Sequence, residues 1–137
     1  MNVLICIPTY NEYVHSRLVE DIINLLNKYN IKFGLKIKSG SLIPRIRNQF
    51  LTFFYDNPEY THLLFIDADM FDFEQTIDLL LHSQKDVIGG VYRKKMKYEE
   101  YNICMSERPT AKDVDEMYLE VKYVATGLML ISRFAVQ

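Results

Sequence analysis

The sequence predicts an α/β domain: a mainly parallel sheet flanked by helices. Three observations carry this. Apolar runs of strand length alternate with segments whose apolar residues recur at helical spacing, giving the order βαβαβαβ before further strands. The runs at 3–7 and 63–66 are continuously apolar, as in strands covered on both faces. At 137 residues the chain has the size of a single domain, 1–137, with one core and no linker, repeat or low-complexity tract.

Each element follows from its residues. The first strand, 3–7, stops at Pro8. A helix over 13–29 is predicted by Val14, Leu18, Ile22, Leu25 and Leu26. Ile31, Phe33, Leu35 and Ile37 alternate with polar residues, which predicts a half-buried strand. After the turn Ser39-Gly40-Ser41, a helix over about 42–55 tolerates Pro44 in its first turn. Its inner face is Ile43, Ile46, Phe50 and Phe53 or Phe54, and Asp56-Asn57-Pro58 ends it. The strand 63–66 comes next. Asp72 with Gln75 three residues on predicts a capping box for a helix striped by Phe73, Ile77, Leu80 and Leu81. A strand over 86–92 contains Gly89-Gly90. Residues 98–105 and 117–124 are expected to pair as a hairpin, and 128–131 form a last buried strand.

Composition excludes several classes. Apolar residues make up 49% and charged residues 25%, the balance of an ordinary globular chain, and the formal charge of −2 provides no basic field for nucleic acid. The two cysteines, Cys6 and Cys104, have no metal-ligand spacing and read as reduced thiols of a cytoplasmic protein. No signal peptide or membrane span is expected, because the N-terminal apolar run stops at Pro8 and no other run approaches bilayer length.

The octet 63–70, Leu-Leu-Phe-Ile-Asp-Ala-Asp-Met, is the most informative stretch. Carboxylates are costly in a core, so Asp67 and Asp69 are expected where the strand leaves the sheet. Two acids this close repel unless a cation or hydrogen bonds offset them. Mg²⁺ or Mn²⁺ would do so, usually while also holding substrate phosphates. The plain alternative is a solvated pair that opens a loop. Ligands on such sheets bind beyond the carboxyl ends of the strands. That rule brings residues 8–12, 38–40 and 67–69 to one rim. His15, His62 and His82 lack ligand spacing and read as structural, and the run Arg93-Lys94-Lys95-Met96-Lys97 reads as a solvated loop.

These segments also carry a family resemblance. Ile-Pro-Thr-Tyr-Asn-Glu at 7–12, Ser-Gly-Ser-Leu-Ile-Pro-Arg-Ile-Arg-Asn at 39–48 and Phe-Ile-Asp-Ala-Asp at 65–69 resemble, in order and spacing, the motifs of family 2-like glycosyltransferases. Gly-Gly-Val-Tyr at 89–92 and Ala-Thr-Gly-Leu-Met-Leu-Ile-Ser-Arg at 125–133 are similar to the later strands of that family, and the short chain is similar to small viral and phage-type members. The resemblance implies the Rossmann-like GT-A fold of nucleotide-diphospho-sugar transferases. It implies a metal-dependent enzyme that takes a nucleoside-diphosphate sugar, by family habit a UDP-sugar. The sugar would pass to a glycan or other hydroxyl acceptor with inversion, without nucleic acid or a membrane span.

The resemblance further implies that Pro8, Thr9 and Tyr10 line the base and ribose pocket, with Glu12 and Ser39 near the ribose and the base edge. Arg47 would contact the nucleotide through paired donors; Arg45 is the alternative, about 200° away around the helix. Asp69 would be the direct metal ligand, and Asp67 would hold the ribose or a metal-bound water. The sequence departs from the pattern after the last strand, where no Glu-Asp pair follows. The base is then either missing, leaving a catalytically incomplete nucleotide-sugar-binding fragment, or comes from Glu107, Asp113, Asp115 or Glu116. Two rival readings use the same carboxylates. A HAD-type phosphatase would use Asp67 as nucleophile, but that fold opens with its motif, which here falls mid-chain. A nucleotidyltransferase would carry a Gly-rich basic loop where this sequence has Pro-Thr-Tyr-Asn-Glu.

Overall fold

Strand β1 (Asn2–Thr9) organises the sheet, and from Val3 onward every residue of it is buried. The structure, a computed structural model, describes residues 1–92, 101, 104–105, 114–115 and 118–137. After β1 come α1 (Ser16–Lys28), β2 (Lys32–Ser39), α2 (Ile43–Asp56), β3 (His62–Ile66), α3 (Glu74–His82) and β4 (Val87–Gly89). Four short strands follow: β5 (Cys104–Met105), β6 (Val114–Asp115), β7 (Tyr118–Leu119) and β8 (Val121–Tyr123). Strand β9 (Leu128–Ser132) and a 3-10 turn (Arg133–Val136) close the chain.

The main sheet has five strands in the order β2-β1-β3-β9-β4. β1 pairs in parallel with β2 and β3, whereas β9 runs antiparallel to both β3 and β4. The sheet is therefore mixed, where the sequence predicts a mainly parallel one. The chain returns from the β5–β8 region and inserts its last strand between two strands already in place, and the apolar run 128–131 carries no mark of its direction.

Alternate side chains of these strands feed two cores. Val3, Ile5, Ile7, Leu64, Ile66, Leu128 and Leu130 pack under Leu18, Ile22 and Leu25 of α1 and Ile77, Leu80 and Leu81 of α3. Leu4, Cys6, Leu63, Phe65, Met129 and Ile131 pack against Ile46, Phe50 and Phe54 of α2 on the other face. Full burial of one such side chain is worth about 1.5–3 kcal/mol. Burial among these apolar groups also pushes the Cys6 thiol up to about 12, so it stays protonated.

Several boundaries shift for physical reasons. α1 begins at Ser16, not 13, because His15 Nδ1 accepts from the N–H of Arg17 and caps it, leaving 10–15 as a loop. The capping box of Asp72 and Gln75 does not form: Asp72 sits at φ 57° and its carboxylate turns to Arg17, while Phe73 precedes the helix with no side-chain cap. β2 is an edge strand, so Leu35 and Ile37 stay about half exposed. The hairpin expected between 98–105 and 117–124 survives as the antiparallel pairing of β5 with β8.

Candidate functional site

Because β1 lies between β2 and β3, and the helices that follow β1 and β2 cover opposite faces, the chain reverses direction of winding at the carboxyl end of β1. A crevice is expected at such a point. There the structure has a cleft of about 480 Å³. Pro8 and Tyr10 from the end of β1, Arg47 from α2, and Asp67 and Asp69 from the end of β3 all line it. Five of the residues that the resemblance assigns to the site thus come together. Tyr10 is 68% exposed, so its ring is not used up in packing against the next helix.

Asp67 is held on several sides. Its N–H donates to the Gly127 carbonyl at 2.8 Å, which fixes the strand end against the segment leading into β9. Arg47 Nη2 donates to Asp67 Oδ1 at 2.6 Å. The Arg47 side chain is only 19% exposed, and its Nε has no hydrogen-bond partner among the described residues. A guanidinium presents a fork of donors suited to an anionic or carbonyl oxygen of a ligand. Arg45 lies exposed on the opposite side of α2, so Arg47 is the residue that faces the cleft. The pairing with Arg47 offsets one of the two neighbouring carboxylate charges, while Asp69 lies exposed at the cleft. This donor set fits Mg²⁺ or Mn²⁺, which is typically held by one or two carboxylates together with substrate phosphates. Among the described residues, no group of three His, Cys, Asp or Glu side chains gathers to hold a metal ion.

The two loops that wall the cleft are latched together. The His15 N–H donates to the Ala68 carbonyl at 2.9 Å, and the His15 ring stacks on Phe71 at 4.5 Å. Arg17 also lies over the Phe71 ring, 4.6 Å from its centroid, and its Nη2 donates to Asp72 Oδ2 at 2.6 Å. Asp21 accepts the Asp72 N–H at 2.7 Å. Asp72 adopts its left-handed backbone inside this clasp, which explains why an aspartate is there and no helix cap forms.

The remaining expected residues fall elsewhere. Thr9 is 1% exposed and belongs to the interior. Ser39 Oγ accepts the N–H of Glu12 at 3.1 Å, so these two tie the β1–α1 loop to the end of β2 and do not line the cleft. Of the base candidates, Glu107, Asp113 and Glu116 lie outside the described residues, and Asp115 is placed in β6 by its backbone alone. The basic run 93–97 is also outside them. His62 and His82 lie away from the cleft, but His15 is part of its wall. Asn11, Tyr13 and Val14 line the cleft as well. Tyr13, 76% exposed, was legible only as a second aromatic in the same rim loop.

No family model matches the sequence. No curated protein matches it. Among solved structures, the crystal structure of A197 from STIV matches with a TM-score of 0.61 at 23% identity, covering 99% of this chain and 67% of that one. At this identity the likeness concerns the fold alone.

Proposed function

We propose that this chain is a GT-A-like glycosyltransferase domain. It binds a nucleoside-diphosphate sugar, with uridine diphosphate as the carrier, together with Mn²⁺ or Mg²⁺. The observation that carries this reading is the convergence of Asp67, Asp69, Arg47 and Tyr10 on one cleft at the carboxyl ends of β1 and β3. An exposed ring offers a stacking surface for a base. A buried guanidinium offers donors to phosphate or base oxygens. Asp67, oriented by Arg47 and by its bond to Gly127, offers an acceptor to ribose hydroxyls, and Asp69 would be the metal ligand. When bound, the metal would act as a Lewis acid that eases departure of the nucleoside diphosphate. An inverting transfer to a glycan or other hydroxyl also needs a base, for which Glu107, Asp113, Asp115 and Glu116 remain the candidates.

The test is thermal unfolding against a panel of nucleotides and nucleotide sugars, each with Mn²⁺ and with chelator. Ligand at about 100 times its dissociation constant adds roughly 2.7 kcal/mol, a rise of about 5–15 °C for a domain of this size. The parent should shift with one nucleoside diphosphate only when metal is present, and Asp69→Asn should lose that shift while keeping its unliganded melting point. An Asp69→Asn protein that still responds to UDP and Mn²⁺ as the parent does would sink the assignment. If no nucleotide shifts the parent, the carboxylates serve other chemistry, and phosphatase activity becomes the next assay.

A further inference from the structure

Tyr92 stands three residues beyond the end of β4, far in sequence from the carboxylate pair. Its ring packs against the core on the α1 and α3 side, and its hydroxyl end reaches Gly127. A Cβ built on Gly127 would overlap the Tyr92 hydroxyl. It would also lie 2.8 Å from the ring Cζ and 3.1 Å from Asp67 Oδ2. Gly127 does not have a positive φ, so its missing side chain matters here for space and not for backbone freedom. The Tyr92 hydroxyl and the second oxygen of Asp67 converge on the same bare face of Gly127. The other oxygen of Asp67 is taken by Arg47, and its N–H by the Gly127 carbonyl. Arg47 thus holds one oxygen of the carboxylate, and the Tyr92 hydroxyl shares the bare face of Gly127 with the other.

We infer that Tyr92 is a positioning residue for Asp67, admitted to the site by Gly127, and that the two together set how tightly the cleft takes a metal-bound nucleoside diphosphate. The inference rests on the proposed function. A carboxylate restrained on both sides keeps one rotamer, and binding geometry that slips by a fraction of an ångström loses affinity. A merely packing role would place all the value of Tyr92 in its ring. The positioning role places it in the hydroxyl, and in the absence of a Cβ at residue 127.

The experiment measures UDP affinity by calorimetry with Mn²⁺, alongside the unliganded melting point, for the parent, Tyr92→Phe, Gly127→Ala and Asp67→Asn. Tyr118→Phe is the control, since it removes a hydroxyl that donates to the Leu79 carbonyl. Tyr92→Phe should weaken UDP binding about tenfold at an unchanged melting point, whereas Tyr118→Phe should leave affinity as it was. Gly127→Ala should weaken binding at least as much, because the new methyl group displaces the ring and crowds Asp67. If Gly127→Ala does not fold, Tyr92→Phe carries the test alone. Tyr92→Phe binding UDP like the parent, while Asp67→Asn does not, would overturn this inference and leave the proposed function standing. A parent that binds no nucleoside diphosphate would overturn both.

Discussion

Arg47 and Asp67, separated by 20 residues and carried by α2 and the end of β3, meet at 2.6 Å in the floor of the cleft. The pairing uses only one edge of the guanidinium and leaves Nε without a partner among the described residues. Two functions are thereby separable. Arg47→Lys keeps a positive charge beside Asp67 but loses the fork of donors, so it should fold normally and bind UDP with Mn²⁺ about tenfold more weakly. Arg47→Ala removes the cation paired with Asp67 and should lose both binding and about 1–3 kcal/mol of stability. Calorimetry and melting curves on the two variants check this, and equal UDP affinity in parent and lysine variant would contradict it.

The clasp of Arg17 on Phe71 and Asp72 joins the loop bearing Asp69 to the start of α1. Both charged partners are more than half exposed, so the ion pair itself should contribute no more than about 1 kcal/mol. Its effect belongs to the cleft, since the same loop carries Ala68 and Asp69. Arg17→Ala should shift the melting point by less than about 5 °C, yet weaken metal-dependent nucleotide binding several-fold. A large loss of stability with unchanged affinity would reverse this assignment.

Much of this arrangement is legible in the sequence because hydrophobic period reports burial directly. Ile46, Phe50 and Phe54 on α2, and Leu18, Ile22 and Leu25 on α1, face the core as their spacing predicts. Strands at 3–7 and 63–66 are buried as continuous apolar runs should be, and the strand-end rule brings Tyr10 and the Asp67–Asp69 pair to one rim, where Arg47 of α2 meets them. What the sequence does not carry is pairing across long separations. Nothing in residues 128–131 says that this strand enters antiparallel between β3 and β4. Asp72 looks like a helix cap by local pattern, and only the distant Arg17 and Asp21 turn it into a latch. Thr9 and Ser39 sit at the rim by sequence, but strand parity and the tie to Glu12 direct them away from the cleft.

His62 opens β3 on the side of the molecule near the chain's first residue. Burial lowers its pKa, the N-terminal ammonium lowers it further, and Asp86 opposes the two. The folded protein thus favours the neutral ring more than the unfolded chain does. The resulting stability is fully present above the unfolded value of 6.5 and is lost as pH falls through the lower folded value. The melting point should therefore drop more steeply between about pH 7 and pH 5 in the parent than in His62→Gln. Melting curves across that range decide it, and identical slopes would remove His62 as the cause.

Arg133 follows β9 directly and closes the far end of α2, away from the cleft. The last carbonyls of a helix have no partners within it. Here Arg133 Nη2 donates to the carbonyls of Phe54 and Asn57 at 2.6 and 2.8 Å, and Nε donates to the Tyr60 carbonyl at 2.7 Å. The guanidinium also lies 4.2 Å from the centroid of the Phe54 ring, one of the fully buried side chains of the core. One side chain therefore ties the end of the chain to α2 and to the turn before β3. Hydrogen bonds with a charged donor contribute about 1.5–3 kcal/mol each, and bonds that share one group do not add fully. Arg133→Ala should cost about 3–5 kcal/mol, or roughly 10–20 °C in melting point. Arg133→Lys should restore less than half of that, because an ammonium cannot span three carbonyls in one plane while covering an aromatic ring. Any UDP binding measured at low temperature should survive in both variants, since the clamp lies at the opposite end of α2 from Arg47. A parent-like melting point in Arg133→Ala would mean that solvent serves those carbonyls equally well.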